Sequence, residues 1–277
     1  MQQNIVFMAF LATMGTWLVT AMGAATVVFI KRIHHRFMNA MLGFAAGVMI
    51  AASFWSLLQP AIERAEQSLS MPAWLVATLG FVSGALFIWA SDKAVTWAQR
   101  RAEEEISPVG SDQGAALPKN ERLRRVMMLV FSITLHNIPE GLAVGVAFGA
   151  LQQNHSTEAL MAAISVAIGI GLQNFPEGAA VSIPLRREGY SRSKCFLLGQ
   201  ASGMVEPVAG VLGALLVVRM QTILPFALAF AAGAMVLVAV HELIPECQRN
   251  RGVSPYVATM GIIAGFSVMM LMDVLLG

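Results

Sequence analysis

The sequence predicts an all-α polytopic membrane protein with eight transmembrane helices in a 3+2+3 inverted-repeat topology. Of the 277 residues, 57% are hydrophobic and 12% are charged, and the mean hydropathy is +0.67. About a quarter of the residues are charged in a typical soluble domain. The apolar residues fall in blocks of about twenty or more, the length of a helix that crosses a bilayer. We therefore expect an integral membrane protein in contact with lipid, without a nucleic-acid partner.

The apolar blocks define eight spans, at 4–30, 39–61, 72–98, 125–150, 158–185, 192–218, 222–246 and 254–276. The first block is too long for a cleavable signal peptide and lacks a basic leader. Lysine and arginine cluster in the loops after spans one, three, five and seven, whereas the alternate loops carry only Arg64 and Arg219. By the positive-inside rule the basic loops are cytoplasmic, so both termini lie outside.

An internal repeat divides the chain. His136-Asn-Ile-Pro-Glu-Gly in span four matches Gln173-Asn-Phe-Pro-Glu-Gly in span five, which runs in the opposite direction. Phe44-Ala-Ala-Gly in span two recurs 186 positions later in span seven, and Val76-Ala-Thr in span three recurs 181 positions later in span eight. We divide the single domain, 1–277, into a first repeat (4–98), a flexible cytoplasmic linker (99–124), a central helix pair (125–185) and a second repeat (192–276). Inverted repeats are typical of transporters with a site at the membrane midplane.

Buried carboxylates point to the cargo. Glu140, Glu177, Glu206 and Glu242 lie within spans four to seven, and a carboxylate at the bilayer centre costs ~2.5–3.5 kcal/mol on insertion scales. These spans hold no lysine or arginine at depth to pair with them. Protons or bound cations must therefore compensate the charge. No catalytic residue or cofactor is expected, and the metal is cargo.

The spacing of the polar residues predicts a metal site. His136, Asn137 and Glu140 share one helix face, and Gln173, Asn174 and Glu177 repeat the arrangement. Pro139 and Pro176 are predicted to break the two helices beside this site. One imidazole with several carboxylate and amide oxygens suits Zn²⁺, Fe²⁺, Mn²⁺ or Cd²⁺. The donors suffice for two adjacent ions, bridged by Glu140 and Glu177, with Glu206 completing the second position.

The sequence also raises three other functions. The motif His241-Glu-Leu-Ile-Pro-Glu begins the HExxH pattern of a metalloprotease, but Pro245 stands where the second histidine is required. The same motif is either a release site for the ion or an interfacial helix end. A proton-coupled metal exporter or exchanger remains the alternative function, because buried carboxylates also carry protons. The inverted repeat disfavours a metal sensor that does not transport.

The motifs HNIPEG at 136–141, QNFPEG at 173–178, GMVEP at 203–207 and HELIPE at 241–246 resemble the ZIP (Zrt/Irt-like) family, in its bacterial GufA-type branch. The resemblance covers the whole chain. It implies Zn²⁺ uptake into the cytoplasm across the bacterial inner membrane, a homodimer, a binuclear site between spans four and five, and an elevator-type motion. In that motion spans one, four, five and six slide against spans two, three, seven and eight.

The resemblance also implies roles for individual residues. One metal would be held by His136, Glu140, Gln173 and Glu177, with Met49 nearby, and the second by Asn137, Glu140, Asn174, Glu177 and Glu206. His241 and Glu242 would lie on the release path, and Glu63 at an acidic position near the outer end of span two. Many eukaryotic members carry histidine where this chain has Gln173. The family's histidine-rich loop is also missing, since 99–124 contains no histidine.

Overall fold

Eight long helices make up the fold. The computed structural model describes residues 2–29, 35–68, 70–104, 119–152, 155–187, 189–248 and 253–276, and every regular element among them is helical. The single-segment helices are α1 (Gln2–Phe29), α3 (Ala73–Glu104), α4 (Lys119–Gly149), α5 (Thr157–Arg187) and α8 (Pro255–Leu276). Helix α2 comprises His35–Ala52, a π-helical stretch Ser53–Leu58, and Gln59–Ser68; α7 comprises Leu224–Val238, a π-helical stretch Ala239–Leu243, and Ile244–Gln248. Helix α6 comprises Arg192–Gly203 and Val205–Arg219.

The helices have the length and composition of membrane spans. Over the described residues, seven of them (α1 to α3 and α5 to α8) are long and apolar enough to cross a bilayer. Helix α4 has 31 residues, which at ~1.5 Å per residue gives about 46 Å, more than the ~30 Å hydrocarbon core. The prediction of an all-α polytopic membrane protein is confirmed.

Helices α3 and α4 both extend into the predicted linker, 99–124. Helix α3 continues to Glu104 and α4 begins at Lys119, so parts of 99–124 are helical; residues 105–118 lie outside the described residues. The run Gln-Arg-Arg-Ala-Glu-Glu that ends α3 consists of good helix formers, which extend a helix beyond its apolar part. The Arg101 guanidinium also stacks 4.2 Å from the centre of the Trp97 ring.

The predicted helix breaks at the two prolines are also wrong. Pro139 and Pro176 lie inside α4 and α5, whose helical assignment is continuous. A proline removes one backbone hydrogen bond, which close neighbours in a membrane protein compensate. The irregularities lie instead at Met204 in α6 and in the π-helical stretches of α2 and α7. These stretches begin at Ser53 and Ala239, 186 positions apart, which is the offset of the repeated motif in the same helices.

Two helix pairs pack at backbone contact through glycines. In the α2–α8 pair, a Cβ atom at Gly47 would overlap the Ile262 carbonyl oxygen, and one at Gly265 would overlap the Phe44 carbonyl oxygen. Small residues at such positions let membrane helices approach closely.

The α3–α7 pair repeats these contacts. Here a Cβ atom at Gly233 would overlap the Phe81 carbonyl oxygen, and one at Gly84 the Phe230 carbonyl oxygen. Gly233 and Phe230 lie 186 positions after the contact residues of α2, and Gly84 and Phe81 lie 181 positions before those of α8. The matched packing is the pattern that an inverted repeat predicts.

A second set of glycines joins the remaining helices, α1 to α5 and α4 to α6. The close approaches are Gly178 to the Thr20 carbonyl, Gly23 to Phe175, Gly141 to Glu206 and Gly145 to Gly210. The glycines of both Pro-Glu-Gly motifs therefore allow backbone contact, Gly141 between α4 and α6 and Gly178 between α5 and α1.

Candidate metal centre

The six polar residues of the two repeated motifs are buried together with Glu206. Glu140, Gln173 and Glu206 are completely buried, and the most exposed member, Glu177, retains 9% of its surface. The motifs face each other, since the Gln173 Nε2 atom donates a hydrogen bond of 2.6 Å to Glu140 Oε1. The structure thus brings together the residues that the sequence selected on α4 and α5.

Glu206 lies at the centre of a separate network. Its Oε2 atom accepts from Thr16 Oγ1 at 2.5 Å and from Asn174 Nδ2 at 2.8 Å. Its Oε1 atom accepts from Thr20 Oγ1 at 3.2 Å. Asn174 Nδ2 also lies 3.2 Å from the Thr16 carbonyl oxygen. Donors from α1 and α5 therefore converge on one carboxylate of α6, and none of these donors is a lysine or an arginine.

Asn137 is hydrogen-bonded to the backbone of α6. Its Nδ2 atom donates to the Ser202 carbonyl oxygen at 2.8 Å, two residues before the interruption of α6 at Met204. Because the amide nitrogen is fixed to α6, the amide oxygen faces away from that bond.

Five buried oxygen atoms of this cluster have no hydrogen-bond donor. They are Asn137 Oδ1, Glu140 Oε2, Gln173 Oε1, Asn174 Oδ1 and Glu177 Oε1; among the described residues, Gln152 Oε1 is the one further side-chain atom in this condition. A buried acceptor without a donor costs ~1–3 kcal/mol, and more when it is charged. Carboxylate and amide oxygens are also ligands for divalent cations. Five oxygen atoms that could bind a cation are thus without a donor at the place where the sequence predicts a cation site.

Carboxylates and imidazoles alone do not complete a site. Within the parts of the chain that the structure describes, no three His, Cys, Asp or Glu side chains are grouped so as to hold a metal ion. A metal site here would therefore need further donors, and the buried amide oxygens of Asn137, Gln173 and Asn174 are available. Weak amide ligands suit a site that binds and then releases its ion.

The predicted release path is only partly assembled. Glu242, in the π-helical stretch of α7, is partly buried, and its Oε1 atom lies 2.7 Å from His136 Nε2. His241, the preceding residue in the chain, is exposed. Glu242 therefore connects α7 to the cluster, and among the described residues no hydrogen bond or ion pair joins His241 to it.

Met49 and Glu63 lie outside the hydrogen-bonded cluster. Met49 is completely buried in the main apolar core, as is Met235, its counterpart in the repeat. Glu63 is exposed, accepts from Gln59 Nε2 at 2.9 Å, and lines a cavity of about 420 Å³. Asp273 lines the same cavity. The assignments of Met49 as a ligand and Glu63 to the outer path stay predictions.

Sequence reasoning missed the hydroxyl groups. Thr16 and Thr20 donate to Glu206, and Ser56 and Ser165 donate to Asp273 at 2.8 and 3.1 Å. One signal was present: Thr13, Thr16 and Thr20 follow helical spacing on an otherwise apolar span, which places them on one face.

Comparisons with known proteins identify the family. The family model described as ZIP Zinc transporter matches residues 99–273. The human protein named Zinc transporter ZIP11 is 40% identical over 338 aligned residues, covering 98% of each chain. Zinc transporter ZIPB of Bordetella bronchiseptica is 35% identical over 93% of this chain and 78% of its own, and Zinc transporter GufA of Myxococcus xanthus is 34% identical over 93% and 94%.

The family model covers more than half of the chain, and relatives align along almost all of it. The resemblance inferred from the four motifs is confirmed. The protein is a membrane transporter of divalent metal ions and not an enzyme, and its metal is substrate. This chain belongs to the ZIP zinc transporter family.

Proposed function

We propose that the protein carries Zn²⁺, and with it Cd²⁺, Fe²⁺ or Mn²⁺, into the cytoplasm through a binuclear site at the membrane midplane. The observation that supports this most directly is the set of five buried oxygens without donors on α4 and α5. A divalent ion supplies the positive charge that no lysine or arginine supplies. It also fills acceptor positions whose lack of a partner otherwise costs free energy.

In this proposal the two ions share Glu140 and Glu177. The first ion is bound by His136 and Gln173 in addition, with Met49 nearby. The second is bound in addition by the group Asn137, Asn174 and Glu206. The Gln173–Glu140 bond of 2.6 Å joins ligands of the first position, and the Asn174–Glu206 bond of 2.8 Å joins ligands of the second. Each position therefore draws on both α5 and a neighbouring helix.

The glycine contacts support an elevator-type motion. One group of helices (α1, α4, α5 and α6) is joined by the glycines of the Pro-Glu-Gly motifs, and the other group (α2, α3, α7 and α8) by the repeated glycines of the outer repeats. The described polar contacts between the groups include Ser165 to Asp273 and His136 to Glu242. A few polar contacts are easily broken, while backbone contact within each group resists shear. We infer that the first group slides as a unit and carries the ions.

We place the protein in the bacterial inner membrane with both termini outside, because the basic loops require a cytoplasmic position. Glu63 and its cavity then face the exterior, and Glu242 and His241 lie toward the cytoplasm on the release path. The same proposal includes assembly as a homodimer. It also includes the four-part division, with repeats at 4–98 and 192–276 around the central pair 125–185.

The test is time-resolved entry of Zn²⁺ and Cd²⁺ into proteoliposomes, with Glu177→Gln as the site variant and Glu158→Gln as its control. Both changes remove one negative charge from α5, but Glu177 is buried and Glu158 is exposed. We expect Glu177→Gln to reduce the initial rate at least about tenfold, the effect of ~1.4 kcal/mol, and Glu158→Gln to leave it unchanged. Equal rates in both would remove the cluster from the path. Flux that follows an imposed proton gradient against the metal gradient would instead establish the exchanger.

A further inference from the structure

Glu206 differs from the other glutamates of the cluster in that both of its oxygens are satisfied. Glu140 and Glu177 each retain an oxygen without a donor, whereas Glu206 accepts three hydrogen bonds. Two of these come from α1, a helix that carries none of the proposed ligands. The bond from Thr16, at 2.5 Å, is the shortest of the three, and a hydroxyl donor to a carboxylate forms a strong, charge-assisted bond.

Thr16 also fixes Asn174. Its carbonyl oxygen lies 3.2 Å from Asn174 Nδ2, the atom that donates to Glu206. With its nitrogen committed to Thr16 and Glu206, Asn174 must direct its Oδ1 atom elsewhere, and that atom is one of the buried oxygens without a donor. One residue of α1 thus sets the direction of two side chains on two other helices.

The repeat explains why the donors stand on α1. Thr20 lies 186 positions before Glu206, the offset that relates α2 to α7. Their backbones have matching neighbours, since Gly178 packs on the Thr20 carbonyl and Gly141 on the Glu206 carbonyl. At equivalent positions, one half of the molecule supplies a carboxylate and the other supplies a hydroxyl that donates to it.

We propose that Thr16 is the positioning residue of the second metal position, orienting Glu206 and Asn174 so that Glu206 Oε1 and Asn174 Oδ1 face the ion. This inference rests on the binuclear site proposed above. Glu206 Oε2 already accepts two short bonds, so it is held in place, while Oε1 accepts only the 3.2 Å bond from Thr20 and keeps capacity for a metal. Thr20 makes a smaller contribution of the same kind.

The test is calorimetric titration of the metal-free, detergent-solubilised protein with Cd²⁺ and Zn²⁺, resolving the two binding steps. The variant is Thr16→Val, which keeps the shape of the side chain and the carbonyl but removes the hydroxyl. The control is Thr13→Val. Thr13 is completely buried on the same helix, and among the described residues its hydroxyl bonds to the Ala9 and Phe10 carbonyls and not to the cluster. Thr16→Ser restores the donor.

We expect Thr16→Val to weaken the second step at least about tenfold, equivalent to ~1.4 kcal/mol, and to leave the first step within about twofold. Thr20→Val should weaken the second step less, and Thr16→Ser and Thr13→Val should resemble wild type. If Thr16→Val does not fold, Thr16→Ala, which also lacks the hydroxyl group, is titrated in its place.

Equal weakening of both steps, or none, in variants that fold would overturn the role of Thr16 and leave the binuclear site intact. A wild-type protein that binds a single ion would overturn both this inference and the proposed second position.

Discussion

The Glu140→Gln substitution should have opposite effects on the stability of the metal-free protein and on the stabilisation that bound metal provides. The Glu140 carboxylate is completely buried, with one oxygen bonded to Gln173 at 2.6 Å and the other without a donor. Glutamine has nearly the same shape but no charge. It therefore replaces the carboxylate oxygen that lacks a donor in the metal-free state, and it removes a bridging ligand of the metal-bound state.

The two effects have opposite signs and similar size. A buried acceptor without a donor costs ~1–3 kcal/mol. The free energy of unfolding of metal-free Glu140→Gln should therefore equal that of wild type or exceed it by up to about that amount. A ligand that binds only the folded state stabilises it by ~2.7 kcal/mol at one hundred times its Kd. Wild type should gain this increment at saturating Zn²⁺. The variant, which lacks a ligand of both positions, should gain less than half of it.

The assay is unfolding in detergent followed with and without Zn²⁺, using a chelator to define the metal-free state. Glu158→Gln is the matched control, because it removes an exposed carboxylate from α5 and should give the wild-type increment. If Zn²⁺ stabilised Glu140→Gln as much as wild type, Glu140 would not be a ligand. If the metal-free variant were less stable than wild type, the donorless oxygen would not be a source of instability.

Two further predictions concern packing and topology. Gly178→Ala places a Cβ atom on the Thr20 carbonyl and should cost ~1–3 kcal/mol of stability, while Gly171→Ala on the same helix, whose Cβ atom would lie 3.9 Å from its nearest neighbour, should cost little; thermal unfolding compares the two. In intact spheroplasts, an impermeant maleimide should label Trp74→Cys and label Tyr256→Cys only after permeabilisation. Both positions are exposed, at 68% and 77%, and both native cysteines are buried; the reverse pattern would invert the proposed orientation.

The sequence was a good guide to the fold because lipid leaves few options for a backbone. A spanning segment must satisfy its own hydrogen bonds, so each long apolar block became a helix. The repeated Phe-Ala-Ala-Gly and Val-Ala-Thr motifs then located the glycines at which α2 meets α8 and α3 meets α7. Such contacts depend on the absence of a side chain, and glycine is visible in a sequence.

Local irregularities were harder to predict. Pro139 and Pro176 suggested broken helices because the lost hydrogen bond is a local property, but the packing that compensates it is tertiary. The polar run after Trp97 suggested a loop because hydropathy decided the boundary, whereas helix propensity extended α3 to Glu104. The π-helical stretches of α2 and α7 have no single-residue signature, and only their shared offset connects them to the repeat.

The hydroxyl groups around Glu206 show why a metal site is only half visible in a sequence. Charged and amide residues in an apolar span attract notice, since each is costly unless it has a function. Threonine costs little in a membrane helix, because its hydroxyl can bond to its own backbone, as Thr13 does to Ala9 at 2.8 Å. Thr16 has the same appearance in the sequence, yet its hydroxyl reaches Glu206 across the helix interface. The residues that bind the ion are therefore predictable from the free-energy cost of burying them in the membrane. The residues that orient those ligands become apparent only when the helices are packed.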